Sequence, residues 1–328
     1  MRRPAAARSS VAALAGLGLL LTACSPQAEP PSDAAEGINV VASTNVYGDI
    51  AKTIGGDKVS VTAIINKTSQ DPHSYEATAQ DRLAVSKADL VIENGGGYDD
   101  FIHTLAEDSN LDAGKVLNAV ELSGLAHPEG AEASAEATAT ESEPAGGEAH
   151  DHGDLNEHVW YSLHAMEQLA GDIAAKLAEL DPASAQTFET NAATFTSTLE
   201  ELHGKLDSLK GSAAGATVAV TEPVPLYLLE DAGLVNATPE DYTAAIEEDS
   251  DVPPAVLKAA TDLVASKSVR FLAYNEQTEG PQTESLKEAA ETAGVPVVDF
   301  NETLPEGKTY LQWMTDNVDN ISKVLESK

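Results

Sequence analysis

Between residues 183 and 209 the chain contains no proline and a single glycine, Gly204. Its large apolar residues there, Phe188, Phe195, Leu199, Leu202, Leu206 and Leu209, recur mostly at three- and four-residue steps. That spacing lines one face of an α-helix. A helix of about 27 residues is roughly 40 Å long, the span of a whole lobe. Asp181 and Pro182, just ahead of it, supply an N-cap and a first-turn proline. The expected element is a rigid strut in mid-chain, so the segments before and after it form two bodies.

Both flanks alternate between strand and helix patterns. Before the strut, "INVVAST" reads as a buried strand that runs into a helix at "NVYGDIAKTIGG", stopped by Gly55-Gly56. "VSVTAII" is a second strand, "TAQDRLAVSKA" a helix, "DLVIENGGG" a strand entering a glycine turn, "YDDFIHTLAEDS" a helix and "KVLNAVEL" another strand. From Val159 the chain is helical. After the strut come the strand "ATVAV", the helix "PLYLLEDAGL", the proline-led helix "PPAVLKAATDLVASKS", the strand "VRFLAY", the helix "TESLKEAAETAG", the strand "VPVVDF" and an amphipathic terminal helix. Such alternation implies an α/β fold with two lobes, each a largely parallel sheet flanked by helices, joined by one long rigid helix.

Two stretches stand outside this pattern. Arg2, Arg3 and Arg8 precede an apolar run that ends in "LTAC" at Cys24, the only cysteine. The run is too short to span a bilayer comfortably and reads as a leader. Small residues before a lone cysteine resemble a bacterial lipobox, in which Cys24 becomes the lipid-bearing N-terminus. An ordinary leader with an incidental cysteine is the alternative. Residues 126–157 are rich in Glu, Ala and Gly and poor in large apolar side chains, so they form an insertion unable to bury enough surface to order itself. They carry His127, His150 and His152 among acids. The expected organisation is a leader over 1–23, a tether over 24–37, an N-terminal lobe over 38–181 with the insertion at 126–157, a connecting helix over 182–210 and a C-terminal lobe over 211–328. The formal net charge of −35 repels nucleic acid and anionic headgroups and attracts cations, but identifies no ligand.

Open α/β sheets bind ligands beyond the carboxyl ends of their strands. There the sequence places His73, in "DPHSYEAT", then Glu222, then Asn275 and Glu276, then Glu302; His158 follows the insertion. Two imidazoles and two carboxylates suit zinc, manganese or ferrous iron. Each residue also has an ordinary reading. His73 fits a turn, Glu222 a helix start and Glu302 a turn cap, and no local ligand motif of the H-E-x-x-H kind joins them.

"VVASTNVYGDIA", "DPHSYEAT", "ADLVIENGGGYDDF", "NEHVWYS", "VTEPVPLYLLEDAGL" and "GVPVVDFNETLPEG" together resemble the solute-binding lipoproteins of zinc and manganese ABC transporters, over nearly all of the chain after the leader. The resemblance implies a metal site of His73, His158, Glu222 and Glu302, a cargo of Zn2+ or Mn2+ with Fe2+ as a further option, and no catalysis. It implies a monomer that delivers metal to a permease and its ATPase and touches the membrane only through a lipid on Cys24. It also implies two lobes on one long helix, which matches the strut. Three departures stand out. Glu222 occupies a position where zinc-specific members place histidine, Glu302 one where manganese-type members place aspartate, and Glu157 one where proline is common. The first two lean away from a three-histidine zinc site, whereas the insertion with His127, His150 and His152 resembles the His/acid loop of zinc members and suggests auxiliary metal capture. A surface adhesin with an incidental metal and a secreted metallo-hydrolase using Glu276 as base are the competing functions.

Overall fold

The computed structural model describes residues 37–125 and 155–327. Cys24, His127, His150 and His152 lie outside these residues, as do the leader, nearly all of the tether and most of the insertion. The first half runs β1 (Ile38–Thr44), α1 (Asn45–Gly55), β2 (Val59–Ile65), α2 (Ala79–Val85), β3 (Leu90–Glu93), α3 (Asp100–Asp108), β4 (Val116–Asn118), α4 (Ala119–Ser123) and α5 (Leu163–Leu180). Then comes α6 (Ala185–Ala213). The second half runs β5 (Thr217–Val220), α7 (Leu226–Asp231), β6 (Val235–Asn236), α8 (Glu240–Glu247), α9 (Pro254–Ala265), β7 (Leu272–Asn275), α10 (Pro281–Ala293), β8 (Val297–Phe300) and α11 (Tyr310–Glu326).

The strands form two four-stranded sheets, ordered β2-β1-β3-β4 and β6-β5-β7-β8. Every strand pair is parallel, with Val40 opposite Val61 on one side and Leu90 on the other. Apolar runs such as Val40–Ala42 and Leu90–Ile92 are buried because helices cover both faces. The two sheets share one order, in which the chain steps outward once and then crosses to the far side of its first strand. That reversal opens a crevice at the carboxyl ends of β1 and β3 in one lobe and of β5 and β7 in the other.

Helix α6 has 29 residues and buries the face Phe188, Ala192, Phe195, Leu199, Leu202, Leu206 and Leu209. This is the strut that the apolar spacing implied. It packs on α1 and α5 from the first lobe and on α7 and α11 from the second. One continuous apolar core therefore contains Val40 and Ile92 of the first sheet, Phe195 of the strut and Val220 and Phe300 of the second sheet. Polar bonds add to this seam. Asn45 Nδ2 donates to the Leu304 carbonyl and Asn45 Oδ1 accepts from the Leu304 N–H, each at 2.9 Å. Tyr161 donates to the Asn301 carbonyl at 2.7 Å, and the Tyr310 N–H donates to Asp49 at 2.7 Å.

The structure departs from the sequence reading at several points. "KVLNAVEL" is a three-residue strand followed by a helix rather than one strand, because Asn118 caps α4 by accepting from the Glu121 N–H. The short β6 and the acid-rich α8 were not expected. Val159–Tyr161 forms a single 3-10 turn, and α5 starts only after Ser162 caps it. The last residues of the supposed insertion are ordered: Leu155 packs against the core and Glu157 is 1% exposed.

Candidate metal site

His73 lies in the loop after β2. Asp71 shapes that loop, with Oδ1 accepting from the His73 N–H at 3.0 Å and Oδ2 from the Ser74 hydroxyl at 2.6 Å. The fully buried ring of Tyr98 meets the His73 imidazole edge-on, with centroids 5.0 Å apart, and the His158 imidazole at 5.8 Å. One aromatic side chain thus sets the attitude of both histidines.

His158 is 2% exposed. Asn156 Oδ1 accepts from its backbone N–H at 3.1 Å and meets its Nδ1 at 2.7 Å, while Asn156 Nδ2 donates to the Pro223 carbonyl at 3.0 Å. The amide is fixed from both ends, so Nδ1 is the donor and the lone pair sits on Nε2. That tautomer is the one a metal takes.

Glu157 carries the carboxylate that the sequence reading noted only as a departure from a proline pattern. Its Oε1 stands 3.8 Å from His73 Nε2. One carboxylate oxygen of Glu157 and one nitrogen from each of His73 and His158 lie mutually within 4.8 Å. Two ligands of a tetrahedral ion, each about 2.1 Å from it, stand about 3.4 Å apart, so this trio is close to the spacing a single ion imposes. Its approach depends on a glycine. Gly96, at φ +68°, has the Glu157 Cβ 3.2 Å from where its own Cβ would be.

Across the cavity, Glu222 and Glu302 are 4% and 5% exposed. Asn275 Nδ2 donates to both, at 2.7 Å to Glu222 and 2.6 Å to Glu302. The Thr278 hydroxyl also donates to Glu222. Gln277 Oε1 accepts from the backbone N–H groups of Glu302 at 2.9 Å and Thr303 at 3.0 Å. All three polar residues leave the end of β7, at the crevice of the second lobe. Burial pushes the Glu302 carboxyl well above the usual carboxylate range, and the charges of Glu222, Asp71 and Glu157 push it further, against the pull of Asn275. Glu222 moves the same way, chiefly by burial, with Thr278 and Asn275 opposing. Glu247, from α8, reaches within 3.9 Å of His158 Nδ1 and is raised by burial and by Glu157 and Glu222.

The four residues expected from the sequence, His73, His158, Glu222 and Glu302, line one cavity of about 770 Å³ together with Asp71 and Glu247. They are not equally close. His73 and His158 belong to the tight trio with Glu157, whereas Glu222 and Glu302 form a separate amide-bridged pair. Glu276 is exposed and is absent from the cavity lining, so the imagined hydrolase base does not face the site. Two imidazole nitrogens among several buried carboxylates form a donor set for a cation, since that many acids cannot all ionise there without one.

A model of the family described as zinc-uptake complex component A, periplasmic, matches residues 40–324. The chain belongs to that family. The manganese ABC transporter substrate-binding lipoprotein scaA of Streptococcus gordonii is 25% identical to this zinc-uptake component A family member over 323 residues, covering 93% of this chain and 94% of that protein. The manganese ABC transporter substrate-binding lipoprotein PsaA of Streptococcus mitis is 25% identical over 325 residues, covering 94% and 95%. Among solved structures, ZnuA superposes with a TM-score of 0.64 at 20% identity, covering 88% of this chain and 98% of that one. SBP FpvC from Pseudomonas aeruginosa, in complex with Mn2+, superposes with 0.65 at 21%, covering 88% and 98%. These two carry the fold: paired α/β lobes on a long helix.

Proposed function

We propose that this chain is the extracytoplasmic solute-binding component of a metal ABC importer. It captures a divalent transition metal of the zinc and manganese class in the cleft between its lobes and hands it to a membrane permease driven by an ATPase. The metal is cargo, and the chain performs no catalysis. His73, His158 and Glu157 take the ion first, and Glu222 and Glu302 complete its surroundings from the second lobe. A lipid on Cys24 holds the protein, as a monomer, at the outer face of the membrane. The observation that carries this reading is the trio of His73, Glu157 and His158 within 4.8 Å, of which His73 and His158 line the cavity that Glu222 and Glu302 also line.

The donor set favours no single ion. Imidazole suits zinc, and oxygen donors suit manganese. Family membership and the names of the relatives support transport over adhesion. The test is accumulation of radioactive zinc and manganese by a strain lacking the protein. Wild-type chain restores uptake and His158→Ala does not. Undiminished uptake in the deletion strain contradicts the proposal.

A further inference from the structure

Tyr98 reaches further than the two histidines whose rings it meets. It follows Gly95, Gly96 and Gly97, at φ +78°, +68° and +91°, in a turn that only glycines make at low cost. Asp99 braces this turn by accepting from the Asn94 and Gly95 N–H groups, at 2.7 and 2.9 Å. Asn94 Nδ2 in turn donates to the Glu157 carbonyl at 3.0 Å. The phenol ring is fully buried and packs on Trp160, with centroids 4.7 Å apart. Its hydroxyl reaches the second lobe, where it donates to Glu302 Oε2 in a long hydrogen bond of 3.5 Å. The phenol stays a donor, because burial, and next the charge of Glu302, push its pKa well above the usual tyrosine value. Glu302 is thus held at both oxygens, Oε1 by Asn275 of its own lobe at 2.6 Å and Oε2 by Tyr98 of the other. Its neighbours are held from the first lobe as well: Tyr161 donates to the Asn301 carbonyl, and Asn45 exchanges two hydrogen bonds with Leu304. A carboxylate has about four lone-pair positions over its two oxygens. The two donors take one on each oxygen, which fixes the plane of the group and leaves the others for an ion.

From this geometry we infer that Tyr98 is a positioning residue for the metal: its ring sets His73 and His158, and its hydroxyl sets the Glu302 carboxylate opposite them. One side chain of the first lobe then aligns donors drawn from both lobes. Tyr98 acts through these ligands and is not itself one. The inference rests on the reading of Glu302 as a ligand.

The test is Tyr98→Phe in the full chain, which keeps the ring and its packing and removes only the hydroxyl. Two properties are read: zinc affinity, by competition with a chromophoric chelator, and the visible spectrum of the chain loaded with Co2+, which reports coordination geometry. The expected result is a zinc affinity lower by at least about tenfold, together with an altered cobalt spectrum. Glu302→Gln also loses affinity, and the double variant loses no more than Glu302→Gln alone, because the hydroxyl acts through that carboxylate. Tyr98→Phe that matches the wild type in both properties overturns the inference. So does a loss that adds in full to that of Glu302→Gln, which would make the hydroxyl a structural group only. Undiminished affinity in Glu302→Gln removes Glu302 from the site, and the inference falls with it; the inference alone fails when Glu302→Gln loses affinity and Tyr98→Phe does not.

Discussion

His73 Nε2 and Glu157 Oε1 stand 3.8 Å apart, although 84 positions separate the residues in sequence, a carboxylate buried to 1% exposure facing a part-exposed imidazole. The pair makes sense as two neighbours on one ion. Glu157→Gln should therefore weaken zinc binding by at least about tenfold while leaving the fold intact, measured by competition with a chromophoric chelator. Unchanged affinity would remove Glu157 from the site.

Asn275 holds the opposite pair. Its amide hydrogens lie between Glu222 and Glu302, and without them the two buried carboxylates face each other directly. Asn275→Ala should lower metal affinity by about 10- to 100-fold, the usual effect of removing a partner that orients a ligand. The same titration checks it, and a loss confined to folding stability would argue that Asn275 is structural only.

The reach of sequence reasoning can be seen residue by residue. The strut was visible because its seven buried apolar residues keep helical spacing. The strand-end positions of His73, Glu222 and Glu302 were visible because parallel sheets place their ligands there. Glu157 was not, since composition alone counted it within the polar insertion, and only packing of Leu155 and the missing side chain of Gly96 bring it inward. Glu247 was hidden in an acidic run, "EEDSD", that reads as a solvated face; the packing of α8 turns one acid of that run toward His158. Asn156 and Tyr98 orient the histidines through contacts that no local spacing announces.

The acids of the cleft fix how the metal-free protein responds to pH. Glu222, Glu247 and Glu302 have folded-state pKa values above their unfolded ones, first because of burial and then because of neighbouring carboxylates, Glu157 facing all three. Asp99, buried under its bonds to the Asn94 and Gly95 N–H groups, is pushed up to about 6. Such groups stabilise the fold fully below the unfolded carboxylate range, and that contribution is lost as pH rises through the folded values. Metal-stripped protein should be more stable to urea at pH 5 than at pH 8. A flat or rising trend over that range contradicts these burials. Metal reverses the order, because loading expels the protons and at neutral pH acidifies a weakly buffered solution.

The shared core argues against a wide hinge. Asn45 and Leu304 exchange two hydrogen bonds between the lobes, and one apolar cluster runs through both sheets and α6. Solution scattering should give the same radius of gyration with and without metal, and a marked contraction on loading would sink this reading. Asn45→Ala, which strands the Leu304 N–H and carbonyl, should lower stability by about 1–3 kcal/mol in urea unfolding.

The central claim is that one ion is held between the lobes by two imidazoles and the carboxylates facing them. X-ray absorption spectroscopy of the zinc-loaded chain, at one equivalent, tests it most directly. The account predicts a shell of nitrogen and oxygen with no sulfur, outer-shell scattering from two imidazoles, and loss of one imidazole in each of His73→Ala and His158→Ala. An outer shell that neither substitution changes would contradict it.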